Sequence, residues 1–192
     1  MPIETCADLG AFFRAELSEA LRQRRARLEP ETSDYLVELL AQCATSSGGA
    51  LLEGSLVLRL DEALAQGPTG RLGALVGVGD AALCRSGLFR AREEEAVGSL
   101  GLCVTLGAYA YREAVALARS THGAAPVALH ELGERFPQVI DVVADVAEAS
   151  ALGAVTRDLV KLYDRWRTAG SSRALEALAQ QGLFPGRGGG EG

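Results

Sequence analysis

The sequence predicts an all-α protein: one bundle of about seven or eight helices over residues 1–185, then a glycine-rich tail at 186–192. Three observations carry this reading. Apolar residues recur at helical spacing through segment after segment, with no sustained period-two alternation and no Asn-Gly hairpin. Aromatic residues are only 5% of the chain, so the core must come mainly from Leu, Val and Ala, and Leu and Ala are strong helix formers. The loops between periodic segments are short, which favours antiparallel neighbours. A chain of 192 residues buries roughly 70% of its extended surface. One core can therefore form without metal or disulfide support.

The first helix, about Thr5 to Leu28, sets Leu9, Phe12, Phe13, Leu17, Ala20, Leu21 and Leu28 at helical spacing, and Pro30 ends it. Thr32 or Ser33 caps a second helix to about Thr45, with Tyr35, Leu36, Leu39, Leu40 and Cys43 on its apolar face. After the loop SSGG, a third and shorter helix covers about Ser55 to Gln66 and stops at Gly67-Pro68. A fourth runs from Thr69 to about Phe89. The charged stretch RAREEEAVG connects it to a long segment, about Ser99 to Ser120, with Leu102, Leu106, Tyr109, Ala116 and Leu117 near one face. Pro126 suits the first turn of a helix reaching about Ser150, and Pro137 inside it predicts a kink near Arg135. Thr156 caps a further helix with the stripe Leu159, Leu162, Tyr163 and Trp166. Ser171 or Ser172 caps the last, and Gly182-Leu183 resembles a glycine C-cap.

Charge and composition narrow the function. The net charge of −6 opposes sequence-independent binding to nucleic acid or an anionic membrane. The longest uncharged run, Ala96 to Tyr111, is too short and too mixed to span a bilayer. The opening MPIETCADLG has neither a basic start nor an apolar run, so no export signal is expected. Cys6, Cys43, Cys84 and Cys103 lie far apart with no C-x-x-C pair. They read as reduced, mostly buried small hydrophobes of a cytoplasmic protein.

The stretch GVGDAALCRSGLF, Gly77 to Phe89, begins with a match to G-x-G-x-x-A, the relaxed dinucleotide-binding fingerprint. Its context fails: helices are predicted on both sides, and the residue after the needed second strand is Gly107 rather than an acid. As a helix it places Leu72, Leu75, Val76, Gly79, Leu83 and Ser86 on one stripe, with Gly73 and Gly77 on an adjoining line. Glycine weakens a helix by about 1 kcal/mol relative to Ala. Several together imply that a neighbouring helix comes close, with Gly101 and Gly107 as the expected matching surface. Asp80 lies one turn after Val76 and one before Cys84, close to this apolar stripe, where a carboxylate must be paired or hydrogen-bonded. The bland reading is a structural acid held by a Tyr hydroxyl, an Arg or a helix end. The sharper one is a ligand site of Asp80, Arg85, Tyr109 and Tyr111.

Other motifs point away from catalysis. HELGE, His130 to Glu134, resembles the H-E-x-x-H zinc motif but has Glu at the second His position. Asp141, Asp145 and Glu148 read as a solvated face. With His122 and His130 as the only histidines, no Ser-His-Asp or Cys-His set assembles, so no catalytic residue, metal ligand or cofactor is assigned. RQRRAR, Arg22 to Arg27, is the one dense basic patch. Its arginines complement the end of the first helix. Beyond that default, Arg22, Arg24, Arg25 and Arg27 are candidates for docking an acidic partner, ahead of nucleic acid because no aromatic residues interleave.

Four segments carry a resemblance: GDAALCRSGLF (Gly79 to Phe89), LGAYAY (Leu106 to Tyr111), LVKLYDRWRTAGSSRALEALAQQGLFP (Leu159 to Pro185) and DYLVELLA (Asp34 to Ala41). Their order is similar to that in a family of uncharacterised, all-helical bacterial proteins, over most of the chain from about residue 30. The resemblance implies an all-helical fold and no particular activity or cofactor. Members often carry a Tyr pair and an Asp before the second motif, where Leu102, Cys103 and Thr105 stand here. That departure weakens the case for a shared polar site.

The expected function is therefore a non-enzymatic cytoplasmic protein acting through protein–protein contacts, in a regulatory or assembly role. The alternative is a small-ligand-binding or sensory bundle, and behind it an enzyme of unfamiliar type using Asp80. The expected partner is another protein, not nucleic acid or membrane. An exposed helix face would allow a homodimer.

Overall fold

A computed structural model describes residues 6–44, 54–88 and 99–149. They form six α-helices and, among the described residues, no strand. These are α1 (Cys6–Arg24), α2 (Pro30–Ala44), α3 (Leu56–Ala65), α4 (Pro68–Leu88), α5 (Ser99–His122) and α6 (Val127–Ala149). The all-α class is as expected. The helices anticipated after Thr156 and Ser171, the connection 90–98 and the tail lie outside the described residues. No helix among them is long and apolar enough to cross a membrane.

The helix ends follow local chemistry, and two differ from the periodicity. α1 stops at Arg24, short of Leu28, because the chain turns into a hydrogen-bonded cap there. The Ala26 N–H donates to the Leu21 carbonyl at 2.9 Å and the Arg25 N–H to the Arg22 carbonyl at 3.2 Å, a Schellman pair. Arg25, in the position where glycine is usual, has φ 53°. Pro30 begins α2 rather than ending α1, since a proline in the first turn lacks only an N–H that would have no helical partner. Thr32, expected as a cap, is instead buried inside α2. Ser55, expected as the first residue of the third helix, caps α3 instead, accepting from the Leu58 N–H. Arg135, two residues before Pro137, leaves helical geometry at φ −113°, ψ 22°, which is the anticipated kink.

α4 and α5 form the broadest helix pair, and α6 packs on both. On its other side α6 meets α1 and α2, while α3 lies along α4. Phe13, Leu36, Leu40, Leu75, Leu83, Leu132 and Phe136 close the core between them. Two glycines explain how α4 and α5 come so near. A Cβ on Gly79 would stand 2.7 Å from ring carbons of Tyr111, and one on Gly107 would overlap the Phe136 ring and meet the Ala82 Cβ at 2.8 Å. By contrast, Gly73, Gly77 and Gly101 have nothing within 4 Å of such an atom. The close-approach surface is thus narrower than the sequence suggests, because only part of each glycine line faces the partner helix.

The cysteines also differ from expectation. Cys43 of α2 and Cys84 of α4 are paired as a disulfide, while Cys103 is buried and lies outside that pair. A separation of 41 residues carries no pairing signal of its own; the packing of α2 beside α4 brings the two sulfurs together.

Candidate functional site

Asp80 sits on the α4 stripe directly after Gly79, so the glycine that admits the Tyr111 ring also sets its hydroxyl beside the carboxylate. Tyr111 of α5 and Tyr35 of α2 each donate to Asp80 Oδ1 at 2.6 Å. Arg59 of α3 adds a favourable charge from a fourth helix. Burial pushes the Asp80 carboxyl above its ordinary range, and the two hydroxyls and Arg59 only partly counter it. Burial, reinforced by the negative Asp80, likewise raises both tyrosines far from their usual ionisation, Tyr111 being fully buried. Phenols held neutral are donors, not bases or nucleophiles, near pH 7. What the arrangement can do is join three helices through one carboxylate oxygen.

Of the residues anticipated for a ligand site, Asp80 and Tyr111 come together and the others go elsewhere. Arg85 extends from α4 to the chain before α3, donating from Nη2 to the Gly54 carbonyl at 2.8 Å. Tyr109 is 41% exposed, since two residues along a helix turn the side chain by about 200°. Tyr35 and Arg59 were not among the anticipated site residues. Tyr35 sits on the apolar face expected of α2, and an apolar stripe containing a phenol opposite a buried acid was the available signal.

The basic patch separates into four different situations. Arg22 pairs with Glu19 one turn back, at 2.8 Å from Nε to Oε2, on the surface. Arg24 reaches across to α6, where it binds Asp145, with Nη2 to Oδ1 at 2.7 Å, and approaches Asp141 at 3.4 Å. The acids expected as a solvated face are therefore partly engaged by α1. Arg27 gives its carbonyl to Arg135 Nη1 at 2.6 Å. Arg25 stands exposed in its left-handed conformation, and no described carboxylate pairs with it.

The chain just after Arg25 is tied to α6 at two points. The Glu29 N–H donates to Glu131 Oε2 at 2.9 Å, and Arg135, which bonds the Arg27 carbonyl, is itself held by Glu131 at 2.7 Å and Gln138 at 2.9 Å. Although burial works against its charge, the Glu29 N–H and Arg135 help hold the Glu131 carboxyl below its ordinary range. Between the end of α1 and α6 opens a groove of about 350 Å³, lined by Arg24, Arg25, Ala26, Arg135, Gln138, Asp141 and Val142.

Among the described residues no group of three or more His, Cys, Asp or Glu side chains is placed to hold a metal ion. No family model matches the chain, and neither a curated protein nor a solved structure is significantly similar to it.

Proposed function

We propose that this is a non-enzymatic, cytoplasmic protein that acts by binding another protein, and that an acidic segment of the partner docks at the groove beside Arg25. The observation that carries this reading is Arg25 itself. A residue with a Cβ is disfavoured in the left-handed region by roughly 1–2 kcal/mol, and glycine would serve this cap without that cost. Such strain persists where surrounding contacts over-determine the backbone, and it concentrates where a side chain is needed. Here the contacts are those of Glu131 and Arg135 on the turn, and the side chain presented is a guanidinium at the mouth of a groove. Guanidinium groups bind carboxylates bidentately, which suits an acidic peptide. Nucleic acid fits less well, since Arg24 is already engaged by Asp145 and Asp141 and the whole chain is acidic.

The ligand-binding alternative at Asp80 has less behind it. Both tyrosine hydroxyls converge on a single carboxylate oxygen, Arg85 serves the Gly54 carbonyl and Tyr109 faces outward. An enzymatic role for Asp80 would need a base or nucleophile that neutral phenols do not provide.

The test is affinity capture from the native cell with the wild-type chain and with Arg25→Glu/Arg27→Glu as parallel baits, read by mass spectrometry and checked by circular dichroism. The reading expects a partner with an acidic segment, retained by the wild type and lost from the folded charge-reversed bait. A partner retained equally by both baits would refute the groove as its docking site. A ligand co-purifying with the wild type and lost on Asp80→Asn would favour the alternative.

A further inference from the structure

We propose that Cys43 and Cys84 are a peroxide-sensitive modification site, a reversible thiol–disulfide pair that fastens α2 to α4 beside Asp80. Three observations support it, none of which involves the arginine groove. First, α2 packs mainly on α1 and α6 and meets α4 only sparsely. Two links cross this narrow seam: the Tyr35–Asp80 hydrogen bond and the Cys43–Cys84 pair. They belong to the same faces, since Cys84 lies one turn after Asp80 and Cys43 about two turns after Tyr35.

Second, the two sulfurs differ in access. Cys84 is 1% exposed, whereas Cys43 is only partly buried. A small oxidant or a reducing thiol therefore meets Cys43 first, and Cys84 is the resolving partner. Third, the Cα atoms are 7.2 Å apart, beyond the usual disulfide span of about 4.4–6.8 Å. At this spacing the two residues fit as separate thiols, and pairing draws the α2 and α4 backbones toward each other, so the redox state is felt at the seam.

The chemistry balances with one equivalent of hydrogen peroxide. The Cys43 thiolate attacks a peroxide oxygen, the O–O bond breaks, and with the thiol's proton the departing oxygen leaves as water; Cys43 becomes a sulfenic acid. Cys84 then attacks that sulfur as a thiolate, forming the S–S bond and breaking S–O, and the departing hydroxide takes up the Cys84 proton and leaves as a second water. The two sulfurs lose two electrons in total and the peroxide gains them. Reduction returns by thiol–disulfide exchange, beginning at the accessible Cys43 sulfur.

The experiment uses the full chain carrying Cys6→Ser and Cys103→Ala, reduced with dithiothreitol and then titrated with hydrogen peroxide. Alkylation with N-ethylmaleimide and intact mass count the thiols, and hydrogen exchange is followed in α2 and in α4 around Asp80. The expected result is loss of both thiols together near one equivalent of peroxide, full recovery with dithiothreitol, and at least tenfold faster exchange in α2 when reduced. Cys43→Ser, at the less buried position, should abolish the peroxide response and leave α2 exchanging at the reduced rate. Two alkylated thiols after peroxide would overturn the proposal, as would α2 exchange that ignores redox state. So would a redox response that survives in Cys43→Ser.

Discussion

At Asp80 a buried carboxylate receives two tyrosine hydroxyls from neighbouring helices and lies near a third helix's arginine, whereas at the end of α1 an exposed guanidinium sits on disfavoured backbone beside a groove. The first region behaves as a joint. The two hydroxyls and the carboxylate complete one another, and Gly79 lets the Tyr111 ring come close enough for its contact to be made. In the second, Glu131 and Arg135 fix the turn while the Arg25 side chain is left available. Polar groups that complete each other hold a fold together; one that is positioned but uncompleted is the better place to look for a partner. Substitutions at the joint should therefore alter stability, and those at the corner should alter binding.

The largest expected loss comes from filling the closest approach. Gly107→Val places branched carbon into the Phe136 ring and the Ala82 Cβ, and overpacking of this kind costs about 3 kcal/mol. For a chain of this size that lowers the melting temperature by roughly 6–12 °C. Gly101→Ala, on the same helix with open space around it, should instead gain up to about 1 kcal/mol of helix propensity. Equal responses of the two glycines in thermal denaturation would mean that the α4–α5 contact is not what Gly107 serves.

Tyr111→Phe comes next. It removes a hydrogen bond to a buried carboxylate, worth about 1.5–3 kcal/mol in denaturant unfolding. Tyr35→Phe should cost less, because Tyr35 is only partly buried and water can reach what it leaves. With both donors on one oxygen, the double variant should deviate from additivity. If Tyr35→Phe proves the more damaging, the α2–α4 seam rather than the α4–α5 pair is the main anchor of Asp80.

The pH dependence separates burial from hydrogen bonding. Because burial raises the Asp80 carboxyl in the folded state, the native protein binds its proton more tightly than the unfolded chain. Stability from this group is full below the unfolded value of about 3.8 and declines as pH rises through the higher folded value. Glu131, lowered in the folded state, acts oppositely: its contribution is present above about 4.5 and lost as pH falls through the folded value. Comparing wild type with Asp80→Asn cancels Glu131, and the wild type's relative stability should fall with rising pH. A relative rise would show that the tyrosines and Arg59 outweigh burial.

How far this division was legible in the sequence differs between the two regions. Asp80 stood out because a carboxylate close to a stripe of Leu, Val and Gly demands a partner, and Tyr111 was named from LGAYAY. Composition alone does not fix helix phase: Tyr109 and Tyr111 are two residues apart and so nearly opposite, and only packing on Gly79 selects Tyr111. Tyr35 escaped because a phenol counts as apolar in a periodicity argument. The kink at Arg135 followed from Pro137, since a missing N–H is a local property. The end of α1 did not follow, because RQRRAR contains no glycine to announce a left-handed cap. Nor did the Cys43–Cys84 pairing, which exists only once α2 lies against α4.

The smallest change distinguishes the regions most sharply. Arg25→Gly relieves the left-handed backbone while keeping both cap hydrogen bonds, since these involve only main-chain atoms of Leu21, Arg22, residue 25 and Ala26. It should stabilise the protein by about 0.5–1 kcal/mol, the cost of a Cβ in this region less the freedom that glycine adds to the unfolded chain. The same substitution removes the guanidinium at the groove, so an acidic partner should bind more weakly despite the firmer fold. Arg25→Lys provides the complement: the strain remains, a positive charge remains, and the bidentate geometry is lost. Unfolding measurements together with titration of an acidic peptide check both. Opposite signs for stability and binding in Arg25→Gly are the signature of a residue retained for contact. A gain in stability with undiminished binding would make Arg25 merely a poor cap.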